Sequence, residues 1–412
     1  MEFSDLGLGP EVLASIEALE YESPTPIQEK AIPLALAGGD LLACAQTGTG
    51  KTAAFVLPVL QRIPHKGRIA ALIVTPTREL AVQIEKVARI AAHHTHHAVL
   101  AVYGGVGYKA QLKALHHGVD LLVATPGRLL DLQGRGEIDL THVEVLVLDE
   151  ADRMLDMGFW PDVRRILRLL PKERQNMLFS ATLTDAVLRV IGDTLTDPVR
   201  VDVAPSSTPV EAIDQLVYPV NSMQKTELLV ALLAASPEYR AIVFTRTKAR
   251  ADRVAAALKS SGVPSGTIHS DFSQARREQT LEQFRSGKHA LLVATDVMAR
   301  GIDVDHITHV VNYDVPDRPD DYVHRIGRTA RAGETGIAVT LVSHEELSLL
   351  AEIERVMGRA LELRDVEGFE YSERVVPRED RPAGSAKPRA MYSGGVMGRG
   401  RGPRKRGPGR RF

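Results

Sequence analysis

The sequence predicts two α/β domains in tandem, each built on a parallel β-sheet, followed by a disordered basic tail. The chain has 412 residues, which is too long for one ordinary hydrophobic core and suits two. Short, almost continuously apolar runs alternate with stretches of helical length, a pattern typical of parallel strands buried on both faces. A stretch rich in proline and serine near the middle interrupts this alternation.

The first half contains six apolar runs that predict strands at residues 41–45, 69–75, 99–103, 121–125, 143–149 and 177–180. Segments of helical length separate them, for example residues 78–92. Because crossovers between parallel strands are right-handed, the loops that follow the strands meet at one edge of the sheet, where ligands bind in such folds.

Residues 202–214, which include Pro205 and Pro209, predict the linker between the domains. Beyond them the alternation resumes, with strands predicted at residues 241–245, 266–269, 290–295, 308–313 and 336–342. The predicted domains are therefore residues 1–203 and 214–365, with a linker at 204–213 and an extension and tail at 366–412. The two halves share an architecture but no clear residue-level repeat.

Composition narrows the class of protein. The apolar runs are far shorter than the ~18 residues needed to cross a bilayer, and the N-terminus carries Glu2 and Asp5 where a secretory signal has bases. The single cysteine, Cys44, excludes an internal disulfide and a multi-cysteine zinc site. We therefore expect a cytoplasmic protein without a membrane segment.

Positive charge is concentrated at the C-terminus. The formal net charge is −1, but residues 381–412 carry ten Lys or Arg and no acid, which leaves 41 bases against 52 acids elsewhere. The last residues, rich in Gly, Pro and Arg, cannot bury enough apolar area to offset their chain entropy. They predict a disordered tail that binds a polyanion, with a simple solubility tail as the alternative.

A phosphate-binding loop is predicted directly after the first strand. Gly48 and Gly50 let the backbone N–H groups point at phosphate oxygens, and the helix that begins near Lys51 adds its positive end. Lys51 would reach the β- and γ-phosphates, and the Thr52 hydroxyl would ligate Mg²⁺. The predicted ATP-binding loop is Ala45, Gln46, Thr47, Gly48, Thr49, Gly50, Lys51 and Thr52.

Two adjacent carboxylates, Asp149 and Glu150, end the fifth predicted strand at the same sheet edge. One can hold Mg²⁺ while its neighbour accepts a proton from an attacking water. In isolation such a pair is more often a helix cap. Together with Lys51 it predicts an ATPase, in which Asp149 and Thr52 bind the metal and Glu150 is the general base.

The chain here resembles the DEAD-box family of ATP-dependent RNA helicases, whose name is spelled by residues 149–152. The resemblance runs from Phe3 to about Arg331 and implies two RecA-like domains. It implies that Tyr21 stacks on adenine and Gln28 reads its edge, and that Ser180 and Thr182 couple ATP to strand separation. The implied RNA contacts of the first domain are Pro76, Thr77, Arg78, Gly104, Gly105, Thr125, Pro126, Gly127 and Arg128.

The second domain continues the resemblance, which implies that Arg328 and Arg331 are arginine fingers and that Asp303 contacts the ribose. Arginines spaced three apart, starting at Arg325, would share one helix or turn face, and a guanidinium pair suits a transferring phosphoryl group. Further implied RNA contacts are Thr245, Arg246, Gln274, Arg277, Thr295, Arg300 and Gly301.

Two positions depart from the family pattern, because Glu20 and Ala330 each stand where the family usually has glycine. The glutamate precedes Tyr21 and bears on where that ring is placed. We expect Ala330 to be tolerated unless its backbone needs a positive φ.

A complete catalytic site needs both domains, because Lys51 and Glu150 lie in the first and the arginine fingers in the second. ATP and RNA would each favour the closed arrangement and so support each other's binding. The implied RNA contacts suit phosphates and 2′-hydroxyls, which predicts sequence-tolerant binding. The predicted function is RNA-stimulated ATP hydrolysis that unwinds short duplexes locally. A DNA-dependent translocase and a non-catalytic RNA chaperone are the alternatives.

Overall fold

Two parallel seven-stranded sheets follow one another along the chain, as the sequence predicts. The computed structural model describes residues 1–45, 48–183, 185–192, 194–203, 213–235, 239–296, 304, 306–330, 335–373 and 375. The predicted linker except its last residue, and the tail from 376, lie outside this description. So do six predicted site residues, which are Gln46, Thr47, Arg300, Gly301, Asp303 and Arg331.

The first domain contains seven strands and nine helices among its described residues. The strands are β1 (Leu41–Cys44), β2 (Ala71–Val74), β3 (Val99–Val102), β4 (Leu121–Ala124), β5 (Val145–Asp149), β6 (Gln175–Ser180) and β7 (Val199–Asp202). A 3₁₀ helix (Phe3–Leu6) precedes α1 (Pro10–Ala18), α2 (Pro26–Ala37), α3 (Lys51–Arg62), α4 (Arg78–Thr95), α5 (Tyr108–His116), α6 (Pro126–Gly134), α7 (Ala151–Asp156), α8 (Trp160–Leu167) and α9 (Asp185–Ile191).

The second domain repeats this plan with fewer helices. Its strands are β8 (Ile213–Pro219), β9 (Ala241–Thr245), β10 (Ser265–Ile268), β11 (Leu291–Thr295), β12 (His309–Asn312), β13 (Gly336–Val342) and β14 (Glu362–Leu363). The described helices are α10 (Lys225–Ala235), α11 (Lys248–Ser260), α12 (Gln274–Arg285), α13 (Pro319–Ile326) and α14 (Leu347–Met357), with 3₁₀ helices at Ser222–Gln224 and His344–Glu346.

The two sheets have the same strand order. The first is β3-β4-β2-β5-β6-β1-β7 and the second is β10-β11-β9-β12-β13-β8-β14, with parallel pairing throughout. The halves therefore share an architecture, as the sequence predicts. In the described part of the chain, no helix combines the length and apolar character that a bilayer crossing requires.

Helices cover both faces of the first sheet, which explains why its strands are apolar at every position. In β2, Ile73 joins a core with Phe55 of α3 and Ile84 of α4. Its neighbour Leu72 points to the other face and joins a core with Leu129 and Trp160. A strand buried on both sides needs apolar residues at successive positions.

The sequence pattern misses three strands, all at or near one end of a sheet. β7 has mostly exposed residues, two of them charged, as sheet edges often do. β8 begins at Ile213, within the predicted linker, and β14 has only two residues. Short or polar strands lack the apolar run from which a strand is predicted.

The last strand and the residues that follow it pack on the second domain. β14 pairs with β8, and Phe369 and Tyr371 pack on the apolar cluster of β8, β12 and β13. Gln224 Oε1 accepts a hydrogen bond from Ser372 N over 2.7 Å. We call residues 364–373 the strap.

A buried carboxylate, Asp120, holds together the loop before β2 and the start of β3. It accepts hydrogen bonds from the backbone N–H groups of Lys66, Gly67 and Ala98 at 3.0, 2.7 and 2.9 Å. Burial alone would raise the pKa of Asp120, but these bonds and His65 outweigh burial and hold the pKa below its ordinary value. The ionised carboxylate is therefore the form that stabilises the fold.

We predict that Asp120→Asn lowers the free energy of unfolding by about 2 kcal/mol at neutral pH, because an amide group accepts at only one of its two ends. A lowered folded-state pKa gives stability that is present above the unfolded pKa, ~3.9, and is lost as pH falls through the folded pKa. The difference between variant and parent should therefore shrink in acid. Urea unfolding at both pH values measures it.

The matched control is Asp162→Asn, since Asp162 is partly exposed and, in the part of the chain that the structure describes, pairs with Arg165 alone, at 3.3 Å. We expect a change below about 0.5 kcal/mol there. An Asp120→Asn effect of equal size at neutral and acid pH would contradict the role given to the ionised carboxylate.

Candidate functional site

The predicted phosphate loop lies between β1 and α3, and Gly50 caps α3 with a φ of 89°. A Cβ at this position would crowd the side chains of Thr25 and Gln28, so both conformation and space require glycine. Gln28 Nε2 donates to Gly50 O over 3.1 Å, and Gln28 Oε1 accepts from Thr25 N over 2.9 Å. Gln28 thus ties the loop to the start of α2.

The predicted adenine-stacking residue, Tyr21, lies against Phe3. Their ring centroids are 6.5 Å apart at an interplanar angle of 21°. Phe3 is buried and Tyr21 is half-buried, so the phenylalanine supports the tyrosine from the core side. Stacking of Tyr21 on a base stays a prediction.

Lys51 and Asp149 are buried polar groups with atoms left over for a ligand. They are 7% and 4% exposed, and among the described residues neither Lys51 Nζ nor Asp149 Oδ1 has a hydrogen-bond partner. Burial raises the pKa of Asp149 to about 7, against the opposing charge of Lys51. Because unpaired buried polar atoms are costly, a polar ligand that contacted both atoms would remove that cost.

Glu150 lies among three cations drawn from both domains. Its Oε2 accepts from Arg153 Nη1 over 2.6 Å, and both side chains are buried. Burial alone would raise the pKa of Glu150, but Arg153, Lys51 and the second-domain Arg328 outweigh it and lower the pKa to about 2. Glu150 is therefore an ionised carboxylate, and it stands in a left-handed turn with φ of 54° between β5 and α7.

The two predicted coupling residues are linked to Asp152. Thr182 donates from both its N–H and its hydroxyl to Asp152 Oδ2, at 2.9 and 3.0 Å. Ser180 Oγ accepts from Asp152 N over 3.3 Å and donates to Thr182 O over 2.7 Å. The acidic loop is thereby hydrogen-bonded to the loop after β6, and the coupling role of the two residues stays a prediction.

Of the three arginines spaced three apart, Arg325 and Arg328 lie among the described residues, and their surroundings differ. α13 ends at Ile326, and Arg325 turns into the domain, where it pairs with Asp296 and donates to Asn312. Arg328 follows the helix end, is 4% exposed, and acts on Glu150 across the domain boundary. Arg328 therefore sits where an arginine finger is predicted, while Arg325 is structural.

Both residues that stand where the family pattern has glycine adopt a left-handed backbone conformation. Glu20, at the end of α1, has φ of 57°, and Ala330 has φ of 55°. Residues with a Cβ pay roughly 1–2 kcal/mol for this conformation. The segment that carries Arg328 therefore contains backbone strain.

Among the described residues, two ion pairs join the domains directly. Glu79 on α4 pairs with Arg277 on α12, and both side chains are buried. Asp156 at the end of α7 pairs with Arg318 over 2.8 Å, at a more exposed position. The domains are thus in contact, and Arg277, a predicted RNA contact, is occupied by a partner in the first domain.

Seven of the nine predicted RNA contacts of the first domain line a cavity of about 330 Å³, while Thr77 caps α4 and Gly105 is not part of the lining. Arg78 lies against Gly105, whose φ of 79° and missing Cβ leave room for the guanidinium. The Arg128 guanidinium lies 4.3 Å above the Tyr108 ring. The lining residues are Pro76, Arg78, Gly104, Thr125, Pro126, Gly127, Arg128, Asp131 and Phe159. Phe159 was not predicted, because beside Trp160 it has the pattern of a core residue.

A second cavity, of about 600 Å³, opens at the carboxyl ends of β9, β10 and β11. Thr245 lies beneath it, fully buried, with its hydroxyl donating to Thr247 O over 3.3 Å. Gln274 is buried and donates to Glu278 over 2.9 Å. The lining residues are Arg246, Thr247, Lys248, Ala249, Asp252, Ser270, Asp271 and Thr295. Thr247 and Lys248 were missed, since one helix cap and one helix-start lysine are unremarkable in sequence.

Two family models match the chain, the DEAD/DEAH box helicase model over residues 25–190 and the helicase conserved C-terminal domain over 224–333. The chain is 44% identical over 362 residues to the ATP-dependent RNA helicase CshA of Listeria monocytogenes, an alignment covering 88% of this chain and 70% of the relative. It is 45% identical over 362 residues to the DEAD-box ATP-dependent RNA helicase CshA of Geobacillus kaustophilus, covering 87% and 77%.

The structure is also similar to solved structures of Dbp5 from S. cerevisiae. With Dbp5 bound to RNA and ADP BeF3 the TM-score is 0.80 at 34% identity, covering 88% of this chain and 94% of the other. With a Dbp5 variant bound to Nup159, a Gle1 variant, IP6 and ADP it is 0.61 at 32% identity, covering 87% and 96%. The TM-score is thus higher with the form bound to RNA and ADP BeF3 than with the form bound to Nup159, Gle1, IP6 and ADP.

We predict that Ala330→Gly raises the free energy of unfolding of the second domain by up to about 1 kcal/mol, because relief of the left-handed strain exceeds the added chain entropy. Ala256→Gly, the same change at an exposed position within α11, should instead lower it by about 1 kcal/mol. Urea unfolding measures both. Equal losses in the two variants would contradict a strained Ala330.

We predict that reversing either charge of the Asp156–Arg318 pair reduces the fraction of molecules with apposed domains, since attraction becomes repulsion. The effect should be a few-fold, because exposed pairs contribute about 0.2–1 kcal/mol. Energy transfer between dyes on the two domains measures it for Asp156→Arg, Arg318→Asp and the double variant. The double variant should recover most of the loss, and additive losses would contradict a direct pair.

Proposed function

Because the chain belongs to the DEAD-box family of ATP-dependent RNA helicases, we propose that its domains close together on ATP and one strand of RNA. Membership rests on the two helicase models and on relatives 44% and 45% identical. The chain is accordingly an ATP-dependent RNA helicase that hydrolyses ATP and has RNA as its partner. The observation that best supports the closing mechanism is the action of Arg328 on Glu150 across the domain boundary.

The ATP site is proposed at the carboxyl edge of the first sheet. The buried, unpartnered Nζ of Lys51 would bind the β- and γ-phosphates. The loop from Ala45 to Thr52 would supply backbone N–H groups. Tyr21 and Gln28 would contact the adenine, and Asp303 of the second domain would contact the ribose.

Asp149 and Thr52 are the residues that would hold Mg²⁺. The cation prefers oxygen ligands, and Asp149 Oδ1 is buried with no hydrogen-bond partner among the described residues. Burial raises the pKa of this carboxyl group to about 7, so a divalent cation would supply the positive charge that it lacks. When bound, the metal would neutralise developing charge on the phosphates.

Hydrolysis would proceed by attack of a water oxygen on the γ-phosphorus, with the water proton passing to Glu150 and ADP leaving. Arg153 fixes the Glu150 carboxylate through the bond at 2.6 Å. Arg328 and Arg331 would stabilise negative charge on the transferring group. Fingers of this kind contribute about 10³–10⁵ in rate, so the separated domains should hydrolyse ATP poorly.

The RNA strand would lie across the two cavities, one in each domain. Their linings are rich in backbone turns, hydroxyls and guanidinium groups, which suit phosphates and riboses. We therefore propose sequence-tolerant binding that separates short duplexes locally, with the basic tail adding salt-sensitive affinity. The lone cysteine supports a cytoplasmic location.

We predict that Glu150→Gln lowers RNA-stimulated ATP hydrolysis by about 10²–10⁴, because the isosteric amide cannot accept the water proton. ATP-dependent retention of RNA should survive, since neither Lys51 nor the RNA cavities are altered. Phosphate release and RNA anisotropy, measured on the same preparation, report the two properties.

Glu144→Gln, at an exposed position just before β5, is the matched control and should hydrolyse ATP at the parental rate. Parental hydrolysis by Glu150→Gln would reject Glu150 as the base. Loss of RNA retention together with hydrolysis would instead indicate a structural role.

A further inference from the structure

A third cavity, of about 460 Å³, lies at the carboxyl edge of the second sheet and shares Arg246 with the second-domain cavity described above. It is lined by four basic residues and two acids, which are Lys225, Arg246, Arg250, Arg253, Glu345 and Glu346. Arg250 and Arg253 lie one turn apart on α11, and Arg246 directly precedes the helix cap Thr247. This spacing places the three guanidinium groups on one wall of the cavity, which we call the arginine wall.

The pairing of these cations leaves donors for a ligand. Lys225 is buried and paired with Glu346, so it belongs to the frame of the cavity. Arg250, with a side chain 40% exposed, pairs with Asp314. Arg246, 38% exposed, pairs with Asp317 and more distantly with Glu346, and donates to Val315 O over 2.9 Å. A guanidinium group has five N–H donors, so these contacts do not exhaust them.

Arg253 has the most donors available to bind an anion, because it is exposed and no ion pair to it is found among the described residues. With Arg250 and Arg246 it offers a planar, multiply donating surface of the kind that phosphate groups bind. Of the two acids that line the cavity, Glu346 is buried and paired with Lys225.

The cavity adjoins the second-domain RNA cavity at one residue. Arg246 lines both of them. The two lie on either side of the first turns of α11, with Lys248 and Asp252 facing one and Arg250 and Arg253 facing the other. A strand that leaves the RNA cavity past Arg246 therefore meets the arginine wall next.

The strap is fastened at the opposite rim of the same cavity. Asn221 Nδ2 donates to Glu373 Oε2 over 2.8 Å, and Gln224 Nε2 donates to Glu370 O over 2.9 Å. Ser222, between these two anchors, lines the cavity. The chain thus passes this rim a few residues before the ten bases of positions 381–412.

We propose that Arg246, Arg250 and Arg253 form a phosphate-binding site for the RNA segment that flanks the nucleotides held between the domains. The site rests on the proposed function and adds a flanking subsite to it. Its ligand is the RNA backbone, bound without regard to sequence. It guides the flanking strand from the second-domain cavity toward the root of the basic tail.

The test compares Arg253→Glu with Lys259→Glu in the full-length chain, using oligouridylates of about 6 and about 20 nucleotides and ADP–beryllium fluoride. Both changes reverse one exposed charge on α11, but Lys259 lies outside the cavity. Arg253→Glu should lower the long-to-short affinity ratio roughly fivefold and flatten the salt slope for long RNA by about 0.7. Lys259→Glu should change neither, and Arg253→Lys should restore most of the ratio.

An unchanged long-to-short ratio in Arg253→Glu, or an equal fall in Lys259→Glu, would overturn the flanking site. Extending the short oligomer separately at its 5′ and 3′ ends provides a second check, since only one extension should recover the arginine-dependent affinity. Equal recovery from both ends would overturn a directed track. RNA-stimulated ATP hydrolysis by the parent chain is read in the same assays, so failure of the proposed function would be seen separately.

Discussion

The structure depends on one buried carboxylate that needs counter-charge from both domains. Burying Glu150 alone would be costly, and Lys51 and Arg153 of its own domain supply part of the compensation. Arg328 supplies a further part of this compensation, but only when the second domain is in place. The buried Glu79–Arg277 pair has the same property, because separation returns both charges to water. The charge balance of the site therefore depends on residues of both domains.

Most of the fold could be predicted from the sequence because parallel strands carry a strong apolar signal. The runs at 241–245 and 336–342 match β9 and β13 in both bounds. The signal fails at sheet ends, where β7 is exposed and β14 has two residues. It also fails at β8, whose first residues follow directly on the proline- and serine-rich stretch. Pairing partners far away in the chain decide these strands, and local composition does not contain them.

The residues of the candidate site likewise divide into those that could be placed from the sequence and those that could not. Lys51, Asp149 and Glu150 could be placed because each follows a buried strand, and the sheet edge fixes where such residues lie. The side-chain directions in the second domain could not, since Thr245 points into the core and Arg277 toward the other domain. Neither direction is encoded within a few residues of its position.

Because the strap packs on the second domain, this domain extends beyond the point in the sequence where its pattern of helices and strands fades. Phe369 and Tyr371 are in edge-to-face contact at 4.8 Å and cover apolar side chains of the second sheet. A chain shortened to residue 365 would leave that face open to water, and an uncovered apolar face invites self-association. Fragments made to isolate the tail's contribution should therefore retain Val375, which is itself buried.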